Sequence, residues 1–310
     1  MGKILVIGSS NTDLIARVKR FPASGETIEG TQFLQAMGGK GANQALAAHK
    51  LGATVKFITC LGKDKNGENT LWYYHNEGLD VSSSLIIDNA SSGTAMILVD
   101  DKGENCIVIT PGANHQLTPE FIAKQENEIA DAEMILLQME IPFTTVSKVC
   151  ELAKRHNKSI MLNVAPAHPL NNEMIKMIEI LVVNETEAEI ISGQKITERN
   201  EIEMVDKLLG MGARTVVMTL GRRGCIMKNK TEFHFVPAFD VKTLDTTAAG
   251  DTFCGALASE LSNGKKWEEA LKFATAASAI CVTRMGAQPS IPSEKEVRDF
   301  LCNNMKVVLN

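Results

Sequence analysis

From about residue 120 onward, short runs that are apolar along their whole length alternate with stretches of helical periodicity, and this rhythm limits the possible folds more than any other feature. Met134-Ile135-Leu136-Leu137-Gln138 precedes an amphipathic stretch at 143–157, and Ser159-Ile160-Met161-Leu162-Asn163 and Ile180-Leu181-Val182-Val183-Asn184 follow. A strand without a polar face must be covered on both sides, as in a parallel sheet sandwiched by helices. The expected fold is therefore α/β, with a mostly parallel central sheet between helical layers. Runs at 215–220, 224–229 and 232–236, broken by Gly221/Gly224 and Asn229-Lys230, predict hairpins at a sheet edge. Ala-rich runs at 254–261 and 268–283 predict helices.

Two regions depart from the rhythm. Segments near 11–18 and 27–36 mix polar and apolar residues, and a pair at 94–100 and 104–110 is joined by Asp101-Lys102-Gly103, a good hairpin turn. They predict a small inserted β-sheet, formed by segments about 11–37 and 92–111, beside the carboxyl ends of the parallel strands, where it can act as a lid over a cleft. The 310 residues read as one domain carrying this insertion.

No apolar run approaches the roughly 20 residues needed to span a bilayer. The N-terminus enters a strand at Lys3-Ile4-Leu5-Val6-Ile7-Gly8 without the pattern of a signal peptide, so a soluble cytoplasmic protein is expected. A formal charge of −5 argues against a nucleic-acid partner, which calls for a basic field. The seven cysteines are odd in number, scattered and never in a CxxC pair, which predicts buried apolar residues rather than disulfides or a zinc site. The six histidines show no metal-ligand spacing, and Trp72-Tyr73-Tyr74, on a helix at 66–78, are expected to pack.

Chemistry concentrates in two stretches. In Asp245-Thr246-Thr247-Ala248-Ala249-Gly250-Asp251-Thr252-Phe253-Cys254-Gly255-Ala256, small residues run into a helix beginning near Ala249. Unpaired N–H groups at a helix start, aided by the helix dipole, make an anion site for a transferring phosphate. Asp251 beside it can accept a proton from an attacking hydroxyl, although an Asp in a first helical turn also occurs as mere decoration. The second stretch, Met37-Gly38-Gly39-Lys40-Gly41-Ala42-Asn43-Gln44, opens a helix to about Leu51. Its glycines permit close backbone approach, and Asn43 can exchange hydrogen bonds with hydroxyls. It is neither a P-loop nor GxGxxG, and no other segment supplies the dinucleotide fingerprint after a strand.

Together the two stretches identify a resemblance. The chain is similar over nearly its full length to the ribokinase-like carbohydrate kinases, the PfkB family: GGKGANQALA at 38–47 resembles the family's first signature and DTTAAGDTFCGA at 245–256 its second. Gly8-Ser9-Ser10-Asn11-Thr12-Asp13, Asn184-Glu185-Thr186-Glu187, Thr219-Leu220-Gly221-Arg222-Arg223-Gly224 and Thr283-Arg284-Met285-Gly286-Ala287-Gln288-Pro289-Ser290 fit the same pattern. The resemblance implies ATP-dependent phosphorylation of a sugar, D-ribose at its 5-hydroxyl, with Asp251 as general base and the backbone of Ala248, Ala249, Gly250 and Asp251 as anion hole. Another acceptor (2-deoxyribose, fructose, adenosine) or a noncatalytic sugar-binding protein is the alternative.

By the same resemblance Asn11, Asp13, Gly39, Lys40, Asn43 and Glu140 hold the sugar; without it, Glu140 also reads as a helix-capping acid before Pro142. The resemblance assigns Asn184, Glu187, Thr219, Gly221, Gly224, Gly250 and Thr275 to ATP, with Glu187 organising Mg²⁺ through water; at Thr275 relatives often carry His or Asn. It assigns an activating K⁺ to Asp245, Thr247, Cys281, Arg284, Gly286 and Ser290, with Cys281 and Arg284 contributing only carbonyls. Ala248 stands where many relatives outside its own branch of the family have Gly, and its methyl is tolerated if φ there is negative. The resemblance also implies a homodimer through the lid, in keeping with the apolar face that a small isolated sheet exposes.

Overall fold

The computed structural model describes residues 2–197 and 200–307. The chain opens with β1 (Lys3–Ile7), leaves the central sheet for β2 (Asn11–Arg17) and β3 (Gln32–Gly38), and returns through α1 (Lys40–Lys50) to β4 (Thr54–Ile58). The short β5 (Cys60–Gly62), α2 (Lys65–Asn76) and β6 (Leu85–Ile87) follow, then β7 (Gly93–Val99) and β8 (Asn105–Thr110). Strand and helix then alternate: α3 (Pro119–Lys124), α4 (Glu126–Asp131), β9 (Met134–Leu137), α5 (Phe143–Arg155), β10 (Ser159–Asn163), α6 (Asn172–Ile175), β11 (Ile180–Asn184), α7 (Glu185–Ser192), α8 (Glu201–Gly210) and β12 (Thr215–Thr219). The hairpin β13 (Cys225–Asn229) and β14 (Phe233–Val236) leads to α9 (Ala249–Ser262), α10 (Trp267–Cys281) and α11 (Glu294–Val307).

The central sheet runs β14-β13-β12-β11-β10-β9-β1-β4, parallel from β4 to β12, with β13 and β14 antiparallel at the edge. All four residues of β9 are buried, because alternate side chains enter two different cores. Ile135 and Leu137 join Val146 and Val149 of α5 and Val205 of α8 on one face. Met134 and Leu136 join Leu46 of α1, Leu257 of α9 and Phe273 of α10 on the other. Each such side chain contributes about 1.5–3 kcal/mol of burial, which is why these strands read as unbroken apolar runs.

A separate four-stranded sheet, β3-β2-β7-β8, is built from the inserted segments. Its second segment is shorter than expected, pairing from Gln32 rather than from about 27. Two other expectations are corrected. Trp72 points outward and is 70% exposed, whereas Tyr74 is fully buried, and Cys106 and Cys302 are exposed while the other five cysteines are buried. Among the described residues no helix is long and apolar enough to cross a membrane.

The crossing of α1 and α9 leaves no room for a side chain at Gly255. A Cβ on Gly255 would lie 2.6 Å from Ala47 Cβ, 2.7 Å from the Ala48 nitrogen and 2.8 Å from the Gln44 carbonyl oxygen. Only a residue without a side chain lets the two helices touch there. Gly255→Ala should therefore lower the urea midpoint. Pressing on backbone costs about 1–3 kcal/mol, which outweighs the roughly 1 kcal/mol gained in helix propensity; an unchanged or raised midpoint would show that the helices part freely.

Candidate active site

The parallel strands end in polar residues on one edge: Gln138 follows β9, and Asn163, Asn184 and Thr219 close β10, β11 and β12. The first turns of α1, α7 and α9 start at this edge, where open α/β sheets receive ligands. Two adjoining clefts share Thr219, Thr246, Ala249 and Gly250. The more polar one brings together Asn11, Asp13, Gly39, Lys40, Asn43, Glu140, Asn184, Glu187 and the loop Thr247–Asp251, roofed by Ala95, Ile97, Ile107 and Ile109 of the small sheet. The other is lined by Gly221, Gly224 and Thr275, with Phe253 and Ser278.

At the start of α9, Ala248 is the N-cap in the left-handed conformation, φ 60°, ψ 9°. This corrects the expectation of a negative φ: the methyl is carried at a strain of about 1–2 kcal/mol, so the turn out of Thr247 demands a conformation that the side chain disfavours. The Ala249 amide donates to the Thr246 carbonyl at 3.2 Å. The amides of Gly250 and Asp251 belong to the first turn, whose N–H groups have no intrahelical acceptor. Asp251 is buried, and its two oxygens accept from different side chains, Oδ2 from Asn43 Nδ2 at 3.0 Å and Oδ1 from Gln44 Nε2 at 2.9 Å.

At the start of α1, Gly39 has φ 91°, and a Cβ there would meet the Asn11 nitrogen at 2.8 Å. A Cβ on Gly38 would lie 2.2 Å from an Asp13 carboxylate oxygen. The paired glycines thus bring Asn11 and Asp13 up to the helix. Gly39 offers no side chain to cap α1, and Glu140 supplies the cap instead: its Oε2 accepts from the Lys40 amide at 3.0 Å and from Ser9 Oγ at 2.6 Å. Glu140 does not cap α5, whose N-cap is Pro142 with no side-chain bond. Asn184 and Glu187 cap α7 reciprocally, Oδ1 accepting from the Glu187 amide at 2.9 Å and Oε2 from the Asn184 amide at 2.7 Å.

Of the residues expected around a monovalent cation, Thr247 lines a cleft, and Asp245, Cys281, Arg284, Gly286 and Ser290 lie outside both linings. Asp245 links their two loops directly, accepting from the Thr247 amide and hydroxyl at 2.9 and 2.6 Å and from the Gly286 amide at 2.9 Å. Burial pulls the Asp245 carboxyl upward, but these donors outweigh it and hold it below its ordinary value. The side chain of Cys281 also packs in the joint: its Sγ lies 3.0 Å from Ser290 Oγ and 3.7 Å from the Thr247 carbonyl. The Arg284 guanidinium turns away to pair with Glu296.

The family model of the pfkB carbohydrate kinases matches residues 1–294. The chain belongs to this family. It is 38% identical to a ribokinase of Haemophilus influenzae, over 96% of this chain and 98% of that one. It is 35% identical to a deoxyribokinase of Salmonella typhimurium, over 97% and 99%. Its fold superposes on Arabidopsis thaliana ribokinase, solved with ribose and ATP, with a TM-score of 0.91 at 32% identity, covering 97% of this chain and 99% of that one.

In this pfkB-family cleft Asp13, Glu140, Glu187 and Asp251 gather around one cation, Lys40. Burial, then the charges of Glu140 and Asp251, push the Asp13 carboxyl up to about 7. Burial also raises Glu187, against the Asn184 amide and Lys40. For Lys40 burial opposes the charge, but Asp251, Glu140 and Glu187 together hold it above its ordinary value.

Sequence reasoning passed over four polar residues that build the site. Gln44, Gln138 and Asn163 form a hydrogen-bonded set with Asp251, and Asn114 donates to Asn11 Oδ1 at 2.8 Å. A signal for two of them was present: Gln138 and Asn163 end apolar strands as Asn184 does.

The raised Asp13 fixes a sign. Its proton stabilises the fold fully below the unfolded carboxyl range near 4, and that contribution is lost as pH rises through about 7. Asp13→Asn removes the titration. Its unfolding free energy relative to the native chain should rise on the order of 2 kcal/mol between pH 5 and pH 8, read by urea denaturation; a pH-independent difference would show that Asp13 titrates normally.

Proposed function

We propose that the chain transfers the γ-phosphate of ATP to the 5-hydroxyl of D-ribose, giving ribose 5-phosphate and ADP. The observation that carries this reading is Asp251, held by Asn43 and Gln44 beside the first-turn amides of α9 and sharing a cleft with Asn11 and Asp13. A carboxylate accepts from two adjacent hydroxyls, so Asp13 grips a vicinal diol, and Gly39, Lys40, Asn43 and Glu140 complete the pocket. Asp251 takes the 5-hydroxyl proton as the oxygen–phosphorus bond forms and the bond from the γ-phosphorus to ADP breaks. In a loose transition state proton removal comes late, so position matters more than base strength. The Ala248–Asp251 backbone faces the transferring phosphoryl group, with Ala249 contributing only if its amide leaves Thr246. ATP occupies the second cleft, along Thr219, Gly221, Gly224 and Thr275, with Asn184 near its phosphates.

The residues fit a magnesium ion that keeps its waters. Glu187 has one oxygen engaged by Asn184 and one free of it, and among the described residues no cluster of three or more His, Cys, Asp or Glu could hold a metal directly. Bound with ATP, Mg²⁺ neutralises charge on the phosphates. A potassium site fits the joint between the loops, where Thr247 and Ser290 bring oxygens to Asp245 and Gly286, and Cys281 and Arg284 add carbonyls. It would brace the backbone next to the anion hole.

The small sheet acts as the lid of a single domain and as the dimer contact: strand pairing puts Phe33, Met96 and Val108 on its outer side, all exposed. A cytoplasmic setting accords with such a metabolic kinase. The second reading, 2-deoxyribose as acceptor, is favoured by the likeness to a deoxyribokinase; Asn11 argues for a sugar bearing a 2-hydroxyl.

ADP release measured with ribose, 2-deoxyribose, fructose and adenosine, with Mg²⁺ and either K⁺ or Na⁺, should show preference for ribose and stimulation by K⁺. Preference for another acceptor overturns the substrate assignment, equal rates in Na⁺ the cation site, and no turnover with any acceptor the kinase reading. Asp251→Ala should lower kcat about 10²–10⁴-fold while sugar and ATP still bind by calorimetry; retained turnover removes Asp251 from the base role.

A further inference from the structure

We infer that Gln44 is the positioning residue of this site: through a chain of amides running from β9 across α1 to α9, it fixes the carboxylate of Asp251 for proton acceptance. The inference rests on the reading of Asp251 as the base, and it assigns to the interior of the protein half of the hold on that carboxylate, the other half coming from the cleft-lining Asn43.

Gln44 is fully buried and lines neither cleft, so it does not meet a ligand. Its NH₂ group has two hydrogens, and both are used: one goes to Asp251 Oδ1 at 2.9 Å, the other to Asn163 Oδ1 at 3.0 Å. Its Oε1 accepts from Gln138 Nε2 at 2.7 Å. That set fixes which way the amide faces, since turning it over would put one carbonyl oxygen against a carboxylate and leave two donors facing each other. Gln138 is accommodated in turn by Gly8, where a Cβ would lie 2.1 Å from Gln138 Oε1. The set is buried and directional from end to end.

The consequence for Asp251 is chemical. Neighbouring residues of one helix, Asn43 and Gln44, each donate to one of its oxygens. The carboxylate plane is thereby held at two points, and neither contact can accept a proton. The remaining lone pairs are those toward the cleft, which Asp251 and Asn43 both line. A lysine in place of Gln44 would fix the carboxylate by neutralising it; an amide fixes it and leaves its charge. The close crossing at Gly255, one turn beyond Asp251, packs against the Gln44 carbonyl and brings the amide within reach.

A double-mutant cycle separates this role from simple packing. Gln44→Met, Asp251→Ala and the pair are compared for kcat and KM, with thermal melting to establish the folded fraction. Gln44→Met should lower kcat about 10- to 100-fold, as expected when a reacting group loses its orientation, with sugar KM changed less than about threefold because the pocket is untouched. In the Asp251→Ala background the same substitution should change kcat less than about twofold, since the group it positions is gone. Gln138→Met, which frees the Gln44 carbonyl without touching Asp251, should give a smaller loss that also vanishes in that background, and it carries the cycle if Gln44→Met does not fold. Equal fold-losses in both backgrounds overturn the inference, as does native kcat in Gln44→Met beside a crippled Asp251→Ala. Full activity of Asp251→Ala overturns the base reading, and this inference with it.

Discussion

The contact of α1 with α9 at Gly255 is the constraint on which the site depends. Asn43 and Gln44 lie 208 and 207 residues before Asp251, and nothing local brings them together. They meet because two helices, packed side by side on one face of the sheet, both begin at its carboxyl edge. A side chain at Gly255 would wedge the pair apart one turn above the carboxylate. The small residues around it, Ala47 and Ala48 on α1 and Ala256 and Ala258 on α9, are fully buried and let the helices lie close along their length. Core packing and the alignment of a carboxylate are the same interaction here, so a change that loosens one loosens the other.

Charge in the clefts follows from where the helices start. The N-termini of α1, α7 and α9 all open toward them, and each carries about half a positive charge at its first turn. That field offsets part of the excess of Asp13, Glu140, Glu187 and Asp251 over Lys40. Burial still leaves Asp13 only about half ionised near pH 7. The two clefts differ in character: four carboxylates gather in the polar one, whereas the neighbouring one mixes Gly221, Gly224 and Gly250 with hydroxyl residues and with apolar ones such as Phe239, Val241 and Phe253.

The central sheet was legible because each of its inner strands is buried on both faces, and Met134–Leu137 or Ile180–Val183 allow no other environment. The start of α9 was legible for a different reason: a run of small residues ending in an acid has few structural uses. Gln44 was not. A buried polar residue on a helix tells nothing about its partner when that partner lies on another helix far along the chain. Trp72 and Tyr74 illustrate a second limit: two residues on a helix lie about 200° apart, so a run of aromatics cannot all pack, and the sequence does not say which one faces inward. At Ala248 the residue type favours a negative φ, and the observed 60° arises in the loop that Asp245 ties to Gly286, a long-range contact the residue type does not reveal.

The small sheet has the opposite problem to the central one. Ala95, Ile97, Ile107 and Ile109 face the cleft, while Phe33, Met96 and Val108 face away, so both sides are apolar and neither is covered by the sheet itself. The sheet is anchored where it joins the body. That root is Asn114, just beyond β8, whose Oδ1 accepts from the Ser10 amide at 2.9 Å while its Nδ2 donates to the Ser10 carbonyl and to Asn11 Oδ1. The return of β8 and the departure of β2 are thereby pinned to one side chain. Asn114 thus engages the side-chain oxygen of Asn11, which lines the cleft beside Asp13. The anchoring of the small sheet and the placement of Asn11 in the cleft are thereby one set of contacts.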